Sequence, residues 1–273
     1  MANQSEVTNM ALFCDFENVA LGVQDAKYEK FDIGKVIERL LLKGSIVVKK
    51  AYCDWDRYKS FKAPMHEASF ELIEIPHVRQ SGKNSADIRM VVDALDLCYT
   101  KAHVDTFVII SGDSDFSPLV SKLRENAKRV IGVGVKNSTS DLLIANCDEF
   151  IFYDDLVRAQ KKTTARRASP KAAAAAEGNA PAGKGDETRR QEAIDLIGET
   201  LEALIAERGE DEKVWGSMVK QALKRRKPGF AESFYGFRSF NGLLEEAERR
   251  SVLKLERDEK SGGYIVRLGT SLE

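Results

Sequence analysis

The stretch FVIISGDSDFSPLV, residues 107–120, indicates the fold class. It opens with four consecutive apolar residues, passes through Gly112 and two aspartates, and reaches Pro118 ahead of further apolar residues. A short continuous apolar run is typical of a strand that is buried on both faces of a parallel sheet. Gly112 suits a tight turn, and Pro118 suits the first turn of a helix. The stretch therefore predicts a strand, a turn and a helix, as in α/β folds.

The same alternation of strands and helices extends from residue 10 to about residue 155. We predict strands at residues 10–14, 46–51, 71–75, 106–111, 129–135 and 150–152. Asp32 can cap a helix with an apolar stripe on one side, and a second helix begins near Ala86. The residues that we expect this second helix to bury are Ile88, Val91, Val92, Leu95 and Cys98. These elements predict a parallel sheet that is flanked by helices.

The composition changes abruptly at residues 161–187, KKTTARRASPKAAAAAEGNAPAGKGDE. Large apolar residues are almost absent, so burial cannot offset the entropy of ordering this segment. Amphipathic helices are predicted beyond it at residues 191–207, 214–224 and 240–249, followed by two strands around a Gly262-Gly263 turn. We therefore predict an α/β domain at 1–160, a disordered linker at 161–187 and a small winged helix-turn-helix domain at 188–273.

The charge balance and the cysteine pattern limit the function classes. The formal net charge is -1, so any nucleic-acid binding requires local basic patches. The four cysteines include no Cys-x-x-Cys pair, and the three histidines, His66, His77 and His103, lack the spacing of a metal triad. We read neither a secretion signal nor a membrane span, and we expect a protein of the reducing cytoplasm.

Acidic residues follow the predicted strands at three separate points. CDFEN places Asp15 and Asn18 after the first strand, KNSADIRMVVD places Asp87 at a helix start, and SGDSDF places Asp113 and Asp115 after a later strand. Ligands of open α/β sheets bind beyond the carboxyl ends of the strands, so these residues can converge. Clustered carboxylates repel unless a cation neutralises them, and oxygen ligands select hard cations such as Mg²⁺ or Mn²⁺.

Each acidic residue also has a simpler structural interpretation. Asp15 and Asp113 can cap a helix or a turn, as aspartate often does after a strand. Asp93 follows Asp87 by six residues on the same helix, about 240° round the axis, so both cannot point squarely at one ion. We therefore expect Asp93 to support the metal ligands rather than to bind the ion itself.

Several polar and aromatic residues near these motifs are candidate RNA contacts. Lys83 and Ser85 belong to the polar loop that leads into Asp87, where they can contact a phosphate. Ser111 and Ser114 can bind phosphate, orient Asp113 or satisfy the turn backbone. The aromatic residues after the second strand, namely Trp55, Tyr58 and Phe61, can stack on bases, although packing in the core is the simpler expectation.

The segments ALFCDFENV, KNSADIRMVVDAL and FVIISGDSDFSPLV together resemble the NYN family, also called LabA-like or DUF88, whose fold is related to PIN-domain nucleases. The resemblance covers residues 9 to 155. It implies a Mg²⁺- or Mn²⁺-dependent ribonuclease in which Asp15, Asp87 and Asp113 match the metal-binding acidic positions. Asn18 matches the characteristic asparagine, and Asp115 matches a second acidic position with a lesser role. We also assign Asn18 to the predicted RNA contacts.

Residues 190 to 270 resemble the LOTUS domain, also called OST-HTH. The resemblance is carried by KPGF at residues 227–230, followed by Tyr235-Gly236-Phe237 and Phe240. It implies RNA binding or docking to a protein partner. The predicted RNA contacts here are the consecutive basic residues Lys224, Arg225, Arg226 and Lys227, which can neutralise phosphates or simply favour the helix end.

The main hypothesis is an endoribonuclease or RNA-end-trimming enzyme whose C-terminal module recruits RNA or a partner. One alternative is a non-catalytic RNA-binding adaptor, and another is a PIN-like nuclease that acts on DNA. A phosphatase of the Asp-x-Asp type ranks last, because the first strand ends in Asp15-Phe16-Glu17 rather than in Asp-x-Asp.

Overall fold

The computed structural model describes residues 8–75, 85–158, 184–209, 212–227, 230–258 and 262–269. The described residues fall into two compact units, of which the first ends by residue 158 and the second begins by residue 184, apart from residues 41–43, which are grouped with the second unit. Most of the predicted linker, residues 161–183, lies outside the described residues. Its last residues, 184–187, belong to a helix, so the linker boundary that we predicted is too late.

The first unit contains a six-stranded sheet in the order β3-β2-β1-β4-β5-β6. All neighbouring strands are parallel. The strands are β1 (Asn9–Asp15), β2 (Ser45–Cys53), β3 (Glu71–Glu74), β4 (Thr106–Ile110), β5 (Arg129–Gly134) and β6 (Glu149–Phe152). The predicted parallel α/β sheet is thereby confirmed.

Helices cover both faces of this sheet. They are α1 (Phe16–Asp25), α2 (Ile33–Lys43), α3 (Lys59–Glu67), α4 (Ser85–Thr100), α5 (Ser117–Glu125) and α6 (Asp141–Asn146). Along β1, Leu12 and Cys14 enter one buried cluster while Ala11 and Phe13 enter the other, as expected of a strand that is buried on both faces. As predicted, Asp32 caps α2 and Pro118 lies in the first turn of α5.

The face that helix α4 presents to the sheet matches our prediction only in part. Its buried residues are Met90, Ala94 and Cys98. Of the predicted residues, Cys98 is thus buried as expected, and Val91 and Leu95 pack partly buried against the same core. Ile88 and Val92 are 62% and 55% exposed, so the expectation that they are buried is wrong. The apolar residues of α4 spread over more than one face of the helix, and the sheet covers only one of these faces.

The second unit consists of three helices and a small antiparallel sheet. The helices are α7 (Lys184–Arg208), α8 (Gly216–Arg226) and α9 (Phe240–Arg249), and the strands are β7 (Val214–Trp215), β8 (Leu253–Arg257) and β9 (Tyr264–Leu268), in the order β7-β9-β8. Val214 and Trp215 pair with β9 instead of opening a helix as predicted. Within the described ranges, no helix is both long and apolar enough to cross a membrane.

Candidate metal and nucleic-acid site

The predicted acidic residues lie where the order of the strands reverses. The chain winds outward from β1 through β2 to β3 on one side and from β4 to β6 on the other, so β1 and β4 are central neighbours. Asp15 is the last residue of β1, and Gly112 and Asp113 follow the end of β4. In open α/β sheets this crevice is the usual place for a ligand.

Asp15 is held by hydrogen bonds on both of its carboxylate oxygens. The Ser111 hydroxyl donates to Oδ2 over 3.0 Å, and the backbone N–H of Asn18 donates to Oδ1 over 3.5 Å. Only 8% of Asp15 is exposed. Asp15 therefore caps α1, as its simpler interpretation predicted, and at the same time presents a buried carboxylate to the crevice.

Ser111 and Asn18 connect β1 to the loop after β4. The Ser111 hydroxyl accepts from the backbone N–H of Asp113 at 3.1 Å while it donates to Asp15. The Asn18 side-chain oxygen accepts from the N–H of Gly112 at 2.8 Å. Ser111 is fully buried, so its hydroxyl is not accessible to a phosphate. Of the roles predicted for Ser111, the structure therefore favours the orientation of Asp113. Asn18 is partly exposed, but its side-chain oxygen is already in use.

Gly112 is needed here for space rather than for an unusual backbone angle. A β-carbon on Gly112 would lie 2.4 Å from the carbonyl oxygen of Ser138, closer than such atoms can approach. The N–H of Ser140 also donates to the Gly112 carbonyl oxygen at 2.9 Å. The glycine therefore allows the loop after β4 to pack closely against the segment that follows β5.

The acidic side chains are close enough to influence one another. Burial, and then the negative charges of Asp87 and Asp113, raise the pKa of Asp15 from 3.8 to about 7, although the Ser111 and Asn18 hydrogen bonds act in the opposite direction. Burial and the charges of Asp113, Asp115 and Glu17 raise the pKa of Asp87. We call these five residues the acidic cluster.

Glu17 is a member of the acidic cluster that the sequence analysis did not assign. Its carboxylate forms an ion pair of 2.9 Å with Arg57 and still contributes negative charge at Asp87. The CDFEN motif contains this residue, but an acidic residue in the first turn of a helix commonly serves only the helix dipole. The sequence alone does not show whether Glu17 only stabilises the helix start or also belongs to the acidic cluster.

The donor chemistry of the cluster fits a hard divalent cation, since every candidate ligand is a carboxylate oxygen. Among the described residues, no three His, Cys, Asp or Glu side chains are arranged to hold one ion together. Mg²⁺ commonly takes only one or two carboxylates and keeps several waters, so two close carboxylates and a water-mediated third suffice. The acidic cluster is compatible with this binding mode.

Asp93 lies among positive and polar partners rather than among the other carboxylates. Its side chain accepts from the Tyr52 hydroxyl at 2.9 Å and from Nε of Arg89 at 3.0 Å, and Lys50 lies 3.4 Å away. Burial alone would raise the pKa of Asp93, but these three partners together lower it. Asp93 therefore fastens α4 to β2.

The remaining candidate residues are spread over several environments. Lys83 lies outside the described residues, and Ser85 is the partly buried first residue of α4. Trp55 is buried, and its ring lies 4.9 Å from that of Phe16, as core packing predicts. Phe61 is partly exposed.

The four consecutive basic residues at the end of α8 differ in how exposed they are. Lys224 and Lys227 are exposed at the end of α8. Arg226 turns inward, and its guanidinium donates to the buried Thr200 hydroxyl at 3.2 Å. Arg225 is only partly exposed. The two lysines are therefore the most accessible of the four predicted RNA contacts.

Fold and site together define a doubly wound α/β protein with carboxylates gathered at its switch point. The NYN domain model matches residues 9–154, more than half of the 273-residue chain, and the protein belongs to the NYN family. NYN domains are generally nucleases, and the six-stranded parallel sheet fits their PIN-like fold.

The chain is also similar to an archaeal protein and to a bacterial protein of known structure. The uncharacterized protein MJ0482 of Methanocaldococcus jannaschii is 30% identical over 112 residues, which is 41% of this chain and 43% of that protein. The match therefore spans less than half of the relative's length. A crystal structure of VPA0982, a protein of unknown function from Vibrio parahaemolyticus, is 26% identical with a TM-score of 0.49, over 56% of this chain and 96% of that one.

Proposed function

We propose that the NYN unit is a ribonuclease that hydrolyses RNA phosphodiester bonds with Mg²⁺ or Mn²⁺ held by Asp15, Asp87 and Asp113. The observation that supports this most directly is the pKa of Asp15, which burial and the charges of Asp87 and Asp113 raise to about 7. A buried carboxylate beside other carboxylates is costly to ionise. A divalent cation bound among them would offset that cost.

The roles of the residues follow from their positions. A bound divalent cation lowers the pKa of an attacking water and offsets negative charge on the phosphate oxygens. Asp15, Asp87 and Asp113 supply the ligand carboxylates, and Asp115 fixes the loop or orders water beside them. Ser111 and Asn18 hold Asp15 and the loop after β4 in one geometry, as Ser111 contacts both Asp15 and Asp113. No side chain is required as nucleophile.

The test is cleavage of RNA by the full chain beside its Asp113→Asn variant, with Mg²⁺, with Mn²⁺ and with EDTA. Asn at position 113 can still cap the turn, since asparagine is as good a cap as aspartate. We expect wild type to cleave RNA with either cation and the variant to lose on the order of a hundredfold or more in rate. Asp25→Asn, an exposed aspartate at the end of α1, is the matched control and retains full rate.

The assay also separates the alternatives. An adaptor would bind RNA without cleaving it under any of these conditions, and a DNA nuclease would cleave DNA in preference to RNA. Equal rates for wild type and Asp113→Asn, with both proteins folded, would overturn the proposed metal site.

We further propose that the second unit is a LOTUS or OST-HTH winged-helix module that binds RNA through the exposed Lys224 and Lys227. Its three helices and β7-β9-β8 sheet are compatible with a winged helix-turn-helix. In the full chain, Lys224→Gln with Lys227→Gln should weaken RNA binding and reduce its salt dependence, because fewer counterions are released. Unchanged binding would favour docking of a protein partner instead.

A further inference from the structure

A cavity of about 640 Å³ opens beside the loop between α1 and α2 in the NYN unit. Aromatic rings and lysine side chains line it together, and the residues that matter here are Phe16, Lys27, Lys30, Phe31, Phe61 and Tyr153. Its size lies in the range of ordinary ligand pockets. One of its lining residues, Phe16, directly follows Asp15 of the acidic cluster in the sequence.

The wall of this cavity is built from packed aromatic rings. Phe16 meets the ring of Phe61 edge-on at 5.0 Å and that of Phe31 at 6.0 Å, and Tyr153 lies 5.2 Å from Phe31. Phe61 is partly exposed, so part of its ring faces the opening. The other three rings are buried and hold Phe61 in place. An accessible ring such as Phe61 can stack on flat bases of any type, because every base has a π-face.

Two lysines at the rim have no carboxylate partner among the described residues. Lys27 is exposed, and Lys30 holds its ammonium 4.5 Å above the Phe61 ring and donates to the Ser60 carbonyl oxygen at 3.3 Å. Lys35, by contrast, is paired with Asp32. With the exposed Glu29 included, the charged residues that line the cavity carry a net charge of +1, from three lysines against two acids.

The phenol groups of the wall are already engaged within the protein. The Tyr153 hydroxyl accepts from the N–H of Asp32 at 2.9 Å and donates to the carbonyl oxygen of Lys30 at 3.4 Å. The Tyr28 hydroxyl donates to Asp154 at 2.9 Å. These two hydroxyls are therefore not available to distinguish one base edge from another.

We propose that this cavity is a nucleotide subsite, which holds the base and phosphate of one residue of the RNA strand that the NYN unit cuts. The base lies against the exposed part of the Phe61 ring, and the phosphate lies at Lys27 and Lys30. Because the acidic cluster repels phosphate, two cations without carboxylate partners elsewhere on the unit help to hold the strand. The assignment rests on the proposed ribonuclease function, and it implies binding without strong base preference.

The experiment measures nucleotide binding apart from cleavage. Calorimetric titrations of the full chain with adenosine monophosphate, guanosine monophosphate, adenosine and inorganic phosphate are run in EDTA, so that no cation at the acidic cluster recruits the ligand. The variants are Lys27→Gln with Lys30→Gln, and separately Phe61→Ala. The matched control is Lys59→Gln with Lys101→Gln, which removes two other exposed lysines of the same unit.

We expect both nucleotides to bind wild type with similar affinity and more tightly than adenosine or phosphate alone. The Lys27 and Lys30 double variant should bind roughly tenfold more weakly, since charge-assisted contacts are lost. Phe61→Ala should weaken adenosine binding as well, and the control should bind like wild type. No nucleotide binding to wild type, or equal weakening in the control, overturns the subsite.

The two proposals fail in different ways. Asp113→Asn should bind adenosine monophosphate like wild type, because Asp113 does not line the cavity. Nucleotide binding that depends on Lys27 and Lys30 without any RNA cleavage would overturn the ribonuclease and keep the nucleotide site. RNA cleavage at the wild-type rate by the Lys27 and Lys30 double variant, without nucleotide binding to wild type, would overturn the subsite alone.

Discussion

The Ser111 hydroxyl donates a 3.0 Å hydrogen bond to Oδ2 of Asp15 and thereby joins the ends of the two central strands. The same oxygen accepts from the N–H of Asp113, so one buried hydroxyl positions two of the proposed metal ligands. This contact fixes the positions of Asp15 and Asp113, and it also lowers the pKa of Asp15 and so favours its charged form.

Ser111→Ala should therefore impair the site without removing any carboxylate. We expect a loss of about 1 to 3 kcal/mol in the free energy of unfolding, because the partly buried Asp113 N–H and the buried Asp15 carboxylate each lose a partner. The pKa of Asp15 should rise further, since this hydrogen bond lowers it. The pH profile of cleavage should then shift to higher pH. Ser121→Ala, on the exposed side of α5, is the control, and an unshifted profile for Ser111→Ala would contradict its positioning role.

Asn18→Ala should loosen the loop after β4. The Gly112 N–H would lose its acceptor at 2.8 Å, and we expect a cost of about 1 to 3 kcal/mol, measured by chemical denaturation. The rate constant of cleavage should fall more than the affinity for RNA, because the loop carries Asp113. Asn137→Ala, at an exposed position, should change stability by less than about 0.5 kcal/mol. A stable and fully active Asn18→Ala would show that the bond is dispensable.

Gly112→Ala tests the close approach of two backbone segments. A β-carbon would meet the Ser138 carbonyl oxygen at 2.4 Å, so the loop must move. We expect this movement to lower the free energy of unfolding by about 1 to 3 kcal/mol and to abolish cleavage of RNA. Gly242→Ala is the control, because its β-carbon meets nothing closer than 3.5 Å and the residue lies in α9. That variant should be stabilised by up to about 1 kcal/mol. Equal stability of the two variants would remove the steric explanation.

The strands were predictable from sequence because burial on both faces leaves continuous apolar runs, as in residues 107–110. The meeting of Asp15 with Asp113 was predictable because both follow strands of a parallel sheet. The contact of Ser111 with Asp113 was among the roles predicted for Ser111. The bonds from Ser111 to Asp15 and from Gly112 to Asn18 were not predicted, because they join the end of β1 and the start of α1 to the loop after β4, and the sequence does not state the strand order. Gly112 was identified correctly as special, but for its backbone conformation instead of for its lack of a side chain.

Substitutions in α4 can test which of its apolar residues pack against the sheet. Ile88→Ser and Val92→Ser should each change the free energy of unfolding by less than about 0.5 kcal/mol, since both side chains are largely exposed. Met90→Ala, at a fully buried position, should cost about 2 to 5 kcal/mol. Chemical denaturation measures all three. A cost for Ile88→Ser as large as that for Met90→Ala would mean that the helix is rotated relative to the sheet.

The raised pKa of Asp15 predicts how stability depends on pH when no divalent cation is present. Between pH 4 and pH 7 the unfolded chain ionises Asp15, whose usual pKa is 3.8, while burial and the neighbouring carboxylates keep it protonated in the folded state. The folded state then binds more protons than the unfolded state, so its stability falls as pH rises. The loss is complete above pH 7.

Asp15→Asn isolates this contribution, because asparagine stays neutral at every pH. Its side-chain oxygen can still accept from the N–H of Asn18, while its NH₂ group faces the Ser111 hydroxyl, and this change in hydrogen bonding is the same at every pH. Between pH 5 and pH 8 in EDTA, wild type should lose about 2 to 3 kcal/mol relative to the variant. Fluorescence of the buried Trp55 in a Trp215→Phe background reports on the NYN unit alone, since Trp215 belongs to the other unit. Mg²⁺ should restore stability to wild type at pH 8 and have a much smaller effect on Asp15→Asn, because the neutral amide adds no buried negative charge for the cation to offset. Parallel pH curves for the two proteins would mean that Asp15 ionises freely and that the cluster holds no unfavourable charge for a cation to offset.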